Sequence, residues 1–270
     1  MRVRYRRRLS SALVRARRLN HLPFLPRMTL RLFVDAALQA GLDLALPPGP
    51  TRHAQVRRVQ PGDTLLLFDG RGSDWPATVL RVGRSELVVH VHAPMPVASE
   101  LPWAVTLALG MPANERMDTL VEKATELGVA CIQPLLCERA VLRLSGERAE
   151  RKCAHWQAVA QAACEQCGRA RVPTVAGVST LADWLDGLPT APVGESRWLL
   201  SLDPGARPLR QAPMATGAVL VLSGPEGGLS PAEERLARHA GFVPTALGPR
   251  VLRADTAPLA VLAWLGVQAG

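Results

Sequence analysis

Buried strands alternate with helices along residues 103–270, and this alternation limits the possible folds more than any other feature of the sequence. Apolar runs typical of fully buried strands occupy residues 105–109, 132–136, 198–202, 218–222 and 243–247. Between them, residues 116–127 and 149–167 show helical spacing of apolar side chains and end at Gly128 and Gly168, typical helix stops. The pattern predicts an α/β domain with a mostly parallel sheet.

The last 40 residues add two helices to this pattern. Ser230-Pro231-Ala232-Glu233 is a capping box with proline at the first helical position, so we expect a helix from there to Gly241. Residues 257–268 are apolar on almost every side, which predicts a buried terminal helix.

Residues 28–95 show a different pattern, short strands separated by turns. Strands are expected at 64–68, 77–82 and 86–92, and Asp69-Gly70-Arg71-Gly72 is a tight-turn sequence. A small β-barrel or sandwich is the expected fold. The proline-rich residues 94–102 are the expected linker to the second domain, residues 103–270.

The net charge of +9 is concentrated at the start of the chain. Nine of the 32 basic residues, all arginine, lie in residues 1–27 with no acidic residue, which leaves 23 basic and 23 acidic residues in the rest. RNA affinity of residues 28–270 must therefore come from local patches. Segment 1–27 is interpreted as a disordered tail or a start codon placed too early, with a targeting segment or an RNA-binding arm as alternatives.

Cysteine content and hydropathy indicate the compartment. The five cysteines are odd in number and irregularly spaced, which argues against a disulfide framework and for the cytoplasm. Cys164 and Cys167 form a C-x-x-C without a second pair, so we expect core packing and no metal site. No apolar run is long enough to predict a membrane span.

A glycine loop follows the apolar strand 218–222. Its sequence, Ser223-Gly224-Pro225-Glu226-Gly227-Gly228-Leu229-Ser230, lets the backbone approach a ligand at the carboxyl edge of the sheet. It matches neither phosphate-binding glycine motif, and Glu226 would repel phosphate, so a cationic or hydroxyl-rich ligand is favoured. The alternative is that the glycines only make a tight turn.

A second loop, residues 247–257, joins the strand 243–247 to the terminal helix. It carries Gly248, Pro249, Arg250 and Arg253, and Asp255 or Thr256 could cap the helix. Two such loops leaving neighbouring strand ends are expected to form one site. Taken alone, the arginines would be ordinary solvated charges.

Residues 224–230 together with 247–257 resemble the signature of the ribosomal RNA small-subunit methyltransferase E family of the SPOUT superfamily. The resemblance extends over nearly all of residues 28–270. It continues through Arg31-Leu32-Phe33, residues 53–58, Arg116-Met117-Asp118, residues 122–129, Glu138-Arg139, Trp156 and residues 165–169.

The resemblance implies an α/β methyltransferase domain with a C-terminal trefoil knot, preceded by a PUA-like β-barrel that binds RNA. It also implies a homodimer that uses S-adenosylmethionine to methylate N3 of a uridine in 16S ribosomal RNA, in the small ribosomal subunit. The cofactor residues it implies are Leu200, Leu202, Leu222, Gly224, Glu226, Gly227, Gly228, Leu247, Gly248, Leu252, Arg253, Thr256 and Ala257. Three positions depart from the family pattern: Ala113 replaces a lysine, His155 a basic residue, and Asp255 a glutamate.

The reaction requires a proton to leave uridine N3 and a cation to stabilise the resulting anion. Arg253, Arg250 and Arg139 are the candidate cations, and Glu226 and Glu165 are candidate proton acceptors. The expected RNA contacts are Arg31, Phe33, His53, Arg57, Arg58, Arg116, Lys123 and Arg169. A non-catalytic RNA-binding assembly factor on the same scaffold is the main alternative, and a nucleotide-dependent enzyme is a second.

Overall fold

Two sheets organise the part of the chain that the computed structural model describes, residues 29–112, 116–213 and 216–269. Segment 1–27 and its alternative interpretations lie outside these residues. Within them, no helix is long and apolar enough to cross a membrane.

The first sheet has six strands, and one short helix lies between its second and third strands in the chain. Its elements are β1 (Arg31–Phe33), β2 (Asp43–Ala45), α1 (Pro48–Val56), β3 (Thr64–Phe68), β4 (Ser73–Val82), β5 (Leu87–Val91) and β6 (Met95–Pro96). The strand order is β1-β3-β4-β5-β2, with β6 paired to β4. All pairs are antiparallel except β1 with β3. Alternate residues such as Leu65, Leu67, Val89 and Val91 point into one apolar core.

The proline-rich segment is not only a linker. Met95 and Pro96 pair with Asp74 and Ser73 of β4, so this part of the predicted linker belongs to the first sheet. Proline is tolerated there because β6 is a two-residue edge strand. The boundary between the two expected domains stays a prediction.

The second sheet is parallel throughout. Its strands are β7 (Ala104–Gly110), β8 (Cys131–Leu136), β9 (Thr174–Val175), β10 (Ser179–Thr180), β11 (Ser196–Leu200), β12 (Arg207–Pro208), β13 (Ala218–Ser223) and β14 (Val243–Ala246). They follow the order β10-β8-β7-β13-β11-β14-β12, with β9 beside β8. Each neighbouring pair is parallel. This confirms the α/β fold class.

Five helices cover the two faces of this sheet: α2 (Arg116–Glu126), α3 (Gly146–Cys167), α4 (Leu181–Asp186), α5 (Pro231–His239) and α6 (Thr256–Ala269). Side chains of α2, α3 and α6 form one core with the sheet, and those of α4 and α5 form another. Burial on both faces explains why the strands are continuous apolar runs.

Helix ends follow the local signals in the sequence. Gly168 closes α3 in the left-handed conformation at φ 87°, and Ser230 with Glu233 forms the expected capping box of α5. The trefoil knot stays a prediction, since strand order and pairing alone do not define how the chain is threaded.

The terminal helix differs from its expectation. Only Pro258, Val261, Leu262 and Leu265 of α6 are buried, and Val267 is 77% exposed. The expectation of a fully buried helix was wrong for the described part of a single chain, because α6 packs one face against α2 and β13 while Ala263, Gly266 and Val267 are exposed.

Candidate active site

A cavity of about 590 Å³ lies where β11, β13 and β14 end side by side. The strands are in register there, with Leu199 beside Leu222 and Leu200 beside Thr245. Because the strands are parallel, the loops that leave them meet at one edge of the sheet. The two loops singled out in the sequence therefore line one cavity.

The glycine loop folds back tightly on itself. The Gly228 amide donates to the Pro225 carbonyl at 2.8 Å, and Gly228 has a φ of +70°, a conformation that favours glycine. A Cβ on Gly224 would lie 2.9 Å from the Leu229 nitrogen, and one on Gly110 would lie 2.4 Å from a Pro225 carbon. The glycines are thus required by close backbone packing as well as by access to the cavity.

The second loop runs over the opposite side of the cavity and ends at α6. Gly248 adopts a φ of +121°. The Arg253 carbonyl accepts the Thr256 and Ala257 amides, each at 3.0 Å, at the start of the helix. The side chains of Arg250 and Arg253 remain exposed beside the cavity. Two cations are therefore available at the place where a bound substrate would lie.

Glu226 lies at the cavity opposite a cation from α2. Its Oε1 atom is 3.3 Å from an Arg116 nitrogen, and both side chains are partly exposed. Arg116, expected as an RNA contact, thus lines the cavity and pairs with Glu226. An acid with a paired arginine and two further arginines is an arrangement suited to a ligand that carries charges of both signs.

Arg139 approaches the cavity from the segment that follows β8. Its Nη1 atom donates to the carbonyls of Gly227 at 3.3 Å and Leu229 at 3.2 Å. The candidate cation therefore supports the backbone of the glycine loop.

Most expected cofactor residues line the cavity, and two do not. Leu222 is fully buried in the core between the sheet and α4 and α5, so its side chain does not face the cavity. Thr256 is exposed at the first turn of α6 but lies outside the cavity lining. Leu200, Leu202, Gly224, Glu226, Gly227, Gly228, Leu247, Gly248, Leu252, Arg253 and Ala257 do line it.

Three polar residues that line the cavity were not expected from the sequence: Ser201, Thr245 and Glu234. Thr245 sits inside an apolar strand, and Ser201 follows β11 without any motif. Proximity to the carboxyl end of β11 was the signal that could have found Ser201.

Two expected RNA contacts are buried in a different place. We call it the seam, formed by Arg31, Asp74, Glu100, Glu165 and Arg169 between the first sheet and the end of α3. The Arg31 guanidinium donates to Asp74 and to the Cys164 carbonyl, each at 2.6 Å, and lies 4.6 Å from the centre of the Phe68 ring. The Arg169 side chain is 4% exposed and is bound to Glu100 and the Thr125 carbonyl. Contact of Arg31 and Arg169 with RNA stays a prediction, which their enclosed and already bound guanidinium groups disfavour.

Glu165 is bound within the seam. Its Oε1 accepts the Phe33 amide at 2.8 Å, and Oε2 lies 3.4 Å from His53 Nδ1. Glu165 does not line the cavity. Its role as acceptor of the uridine proton stays a prediction, which these contacts disfavour.

The remaining RNA candidates fall into two groups. Phe33 packs edge-on against Phe68 at 5.6 Å and is partly buried, and Lys123 pairs with Glu122 and Glu126 on α2. Arg57 and Arg58 are exposed at the end of α1, and Arg58 adopts a φ of +56°. Contact of these residues with RNA stays a prediction.

Two further observations concern possible metal ligands and the thiol nearest to the cavity loops. Among the described residues, no three His, Cys, Asp or Glu side chains are grouped so that they could hold a metal ion. Cys137 lies near the loops, but burial and the charge of Glu233 raise the pKa of its thiol to about 12.

Two family models match this chain, an RNA methyltransferase domain over residues 99–266 and an RNA methyltransferase PUA domain over residues 51–91. Ribosomal RNA small subunit methyltransferase E of Mycobacterium bovis is 33% identical, and the match covers 89% of this chain and 92% of the relative. The Synechocystis protein of the same name is 36% identical over 77% of this chain and 67% of its own length.

A solved structure agrees with these matches. Ribosomal RNA small subunit methyltransferase E of Neisseria gonorrhoeae, bound to S-adenosyl methionine, superimposes with a TM-score of 0.83 and 34% identity, covering 89% of this chain and 98% of the other. A methyltransferase of Legionella pneumophila, also with the bound cofactor, gives the same TM-score at 32% identity, with the same two coverages. The chain therefore belongs to the ribosomal RNA small subunit methyltransferase E family.

Proposed function

We propose that this chain transfers the methyl group of S-adenosylmethionine to N3 of a uridine in 16S ribosomal RNA. The observation that carries the proposal is the joining of both glycine-containing loops around one cavity at the carboxyl edge of a parallel sheet. Membership of the family supports the class of reaction, and the Neisseria gonorrhoeae relative binds this cofactor.

The cavity fits such a cofactor in size and chemistry. Its volume of about 590 Å³ lies within the usual range for small-molecule sites. Leu200, Leu247 and Leu252 supply an apolar wall for the adenine ring, and Ser201 and Thr245 also line the cavity. Glu226 provides a negative charge for the cationic end of the molecule. When bound, the cofactor supplies an already activated methyl group.

The chain's own residues then have two tasks, positioning and handling one proton. Arg253 and Arg250 stabilise the negative charge that develops on the uracil oxygens as the N3 proton leaves. We assign Glu226 as the proton acceptor, with Arg116 holding its carboxylate in place. The methyl group forms its bond to N3 as its bond to sulfur breaks, and the N3 proton passes to the acceptor.

Methylation at N3 is directly testable, because it blocks base pairing. Small subunits from a strain that lacks this protein are incubated with the purified chain and S-adenosylmethionine, and the RNA is mapped by primer extension. We expect a new stop next to one uridine, dependent on the cofactor. No stop, together with no heat of cofactor binding by calorimetry, would instead support the RNA-binding assembly factor.

We also propose that the protein acts in the cytoplasm as a homodimer. The exposed face of α6 supports a second copy, because Val267 and Ala263 line an apolar groove with Leu101 and Leu127. Sedimentation equilibrium is expected to give twice the 29.0 kDa mass of one chain. A single-chain mass at micromolar concentration would contradict the dimer.

A further inference from the structure

The glycine loop is hydrogen-bonded to a segment that has no part in the proposed chemistry. This segment, residues 137–140, follows β8. Hydrogen bonds join this segment to the glycine loop and to α5, the helix that follows the loop. The Glu138 amide donates to the carboxylate of Glu233 on α5, and the guanidinium of Arg139 donates to two carbonyls of the loop.

Glu233 joins three pieces of backbone. It is the third residue of α5 and is only 5% exposed. Its Oε2 atom accepts the Ser230 amide at 2.8 Å, which completes the helix cap. Its Oε1 atom accepts the Glu138 amide, also at 2.8 Å. An ordinary capping box requires only the first of these two bonds, so the second bond is an additional connection.

Arg139 makes the second connection, from the segment to the glycine loop itself. Its Nη1 atom donates to the Gly227 and Leu229 carbonyls. The loop also rests directly on this residue, because a Cβ on Gly227 would lie 3.1 Å from the Arg139 Cβ and 3.2 Å from its carbonyl oxygen. The loop backbone is thus fixed from two directions at the point where it lines the cavity.

We propose that Glu233 and Arg139 form a clasp that keeps the glycine loop in its cofactor-binding shape. Glu233 is then a positioning residue for the cofactor, although its side chain does not line the cavity. The inference rests on the proposed function, since it takes S-adenosylmethionine as the ligand. It assigns Arg139 to loop support, in place of the catalytic cation expected from the sequence.

The first test is Glu233→Gln, which keeps the size of the side chain. An amide group can accept at its oxygen only, so either the Ser230 or the Glu138 amide loses its acceptor. We expect the Kd for S-adenosylmethionine, measured by calorimetry, to rise about tenfold. The kcat at saturating cofactor should change much less, because the reacting groups remain in place.

A matched control separates loop positioning from loss of a helix cap. Asp183 is also the third residue of its helix, α4, and its Oδ2 accepts the hydroxyl of the capping residue Thr180, but it lies outside the cavity. Asp183→Asn should lower the melting temperature without changing the cofactor Kd. An equal rise in the cofactor Kd for both variants would mean that Glu233 acts only through the stability of the fold. That result would contradict the clasp.

Arg139→Lys is a second variant that should fold, because Arg139 is exposed. It keeps the positive charge, but the lysine side chain is one atom shorter, so its ammonium group falls short of the two carbonyls that Nη1 of Arg139 reaches. The clasp predicts a higher cofactor Kd, whereas a purely catalytic cation predicts an unchanged Kd and a lower kcat. If both variants bind the cofactor as tightly as the wild type, the clasp is wrong. If the wild type itself does not bind, the proposed function fails instead.

Discussion

Arginines at the cavity and arginines at the seam have the same chemistry but opposite surroundings. Arg250 and Arg253 extend into solvent beside two glycine loops. Arg31 and Arg169 are enclosed between the first sheet and α3, each bound to a carboxylate and to backbone carbonyls. Arg31 and Arg169 are expected from the sequence as RNA contacts and Arg250 and Arg253 as catalytic cations, and only the second pair is exposed. The comparison shows that a motif arginine acquires its role from what encloses it.

The largest effect is expected from removing a seam arginine. Arg169→Ala leaves the partly buried Glu100 without its ion-pair partner and removes one of two donors to the Thr125 carbonyl, which should lower the free energy of unfolding by about 3 kcal/mol. This is the low end of the usual range, because a quarter of the Glu100 side chain remains in solvent. Denaturant unfolding measures the change.

Arg151→Ala is the control for this prediction. It removes an exposed ion pair with Glu147 on α3 and should cost about 0.5 kcal/mol or less. If Arg169→Ala binds RNA more weakly and its free energy of unfolding is unchanged, Arg169 belongs to the RNA-binding surface. The difference proposed between the cavity arginines and the seam arginines would then be wrong.

The cavity arginine should show the reverse pattern, loss of activity without loss of stability. Arg253→Ala is expected to lower kcat by about 100-fold or more, the usual effect of deleting a group that stabilises a developing anion. The melting temperature should stay within a degree or two of the wild type, since only the backbone carbonyl of Arg253 supports α6. Methyl transfer to small subunits and thermal unfolding give the two values.

Arg235→Ala is the matched control, because Arg235 is an exposed arginine of α5 outside the cavity lining. It should leave both values unchanged. Normal methyl transfer by Arg253→Ala would remove this residue from the reaction.

The smallest effect concerns the cysteines next to the seam. The neighbouring Cys164 side chain lowers the pKa of Cys167 to about 6; burial opposes this, and Arg169 and Arg31 assist it. The Cys167 thiolate should therefore predominate above pH 6, and its labelling by iodoacetamide should rise with a midpoint near that pH. Cys137, whose pKa is raised by burial, should stay unlabelled.

Mass spectrometry after brief labelling identifies the modified cysteine, and Cys167→Ser serves as the control. Arg169→Ala should move the midpoint upward, because it removes a nearby positive charge. A wild-type midpoint at pH 8 or above would show that the charges of Arg169 and Arg31 do not lower the pKa of the Cys167 thiol.

The local parts of the fold were predictable from the sequence. Strand positions, the Gly168 helix stop and the Ser230–Glu233 capping box depend on residues close together in the chain. The joining of the two loops was also predictable, because parallel strands bring their carboxyl ends to one edge. The side chain of Leu222 faces the helices and not the cavity, because neighbours in a strand face opposite sides.

Contacts between distant parts of the chain were not predictable in the same way. Arg31 meets Cys164 across 133 residues, and Glu233 meets Glu138 across 95. No local pattern encodes such a partner, because hydrogen bonds depend on atoms brought within about 3 Å by the fold as a whole. The sequence alone thus determined the α/β class and the two loops of the cavity. Only the tertiary structure decided which arginines are enclosed and what holds the glycine loop in place.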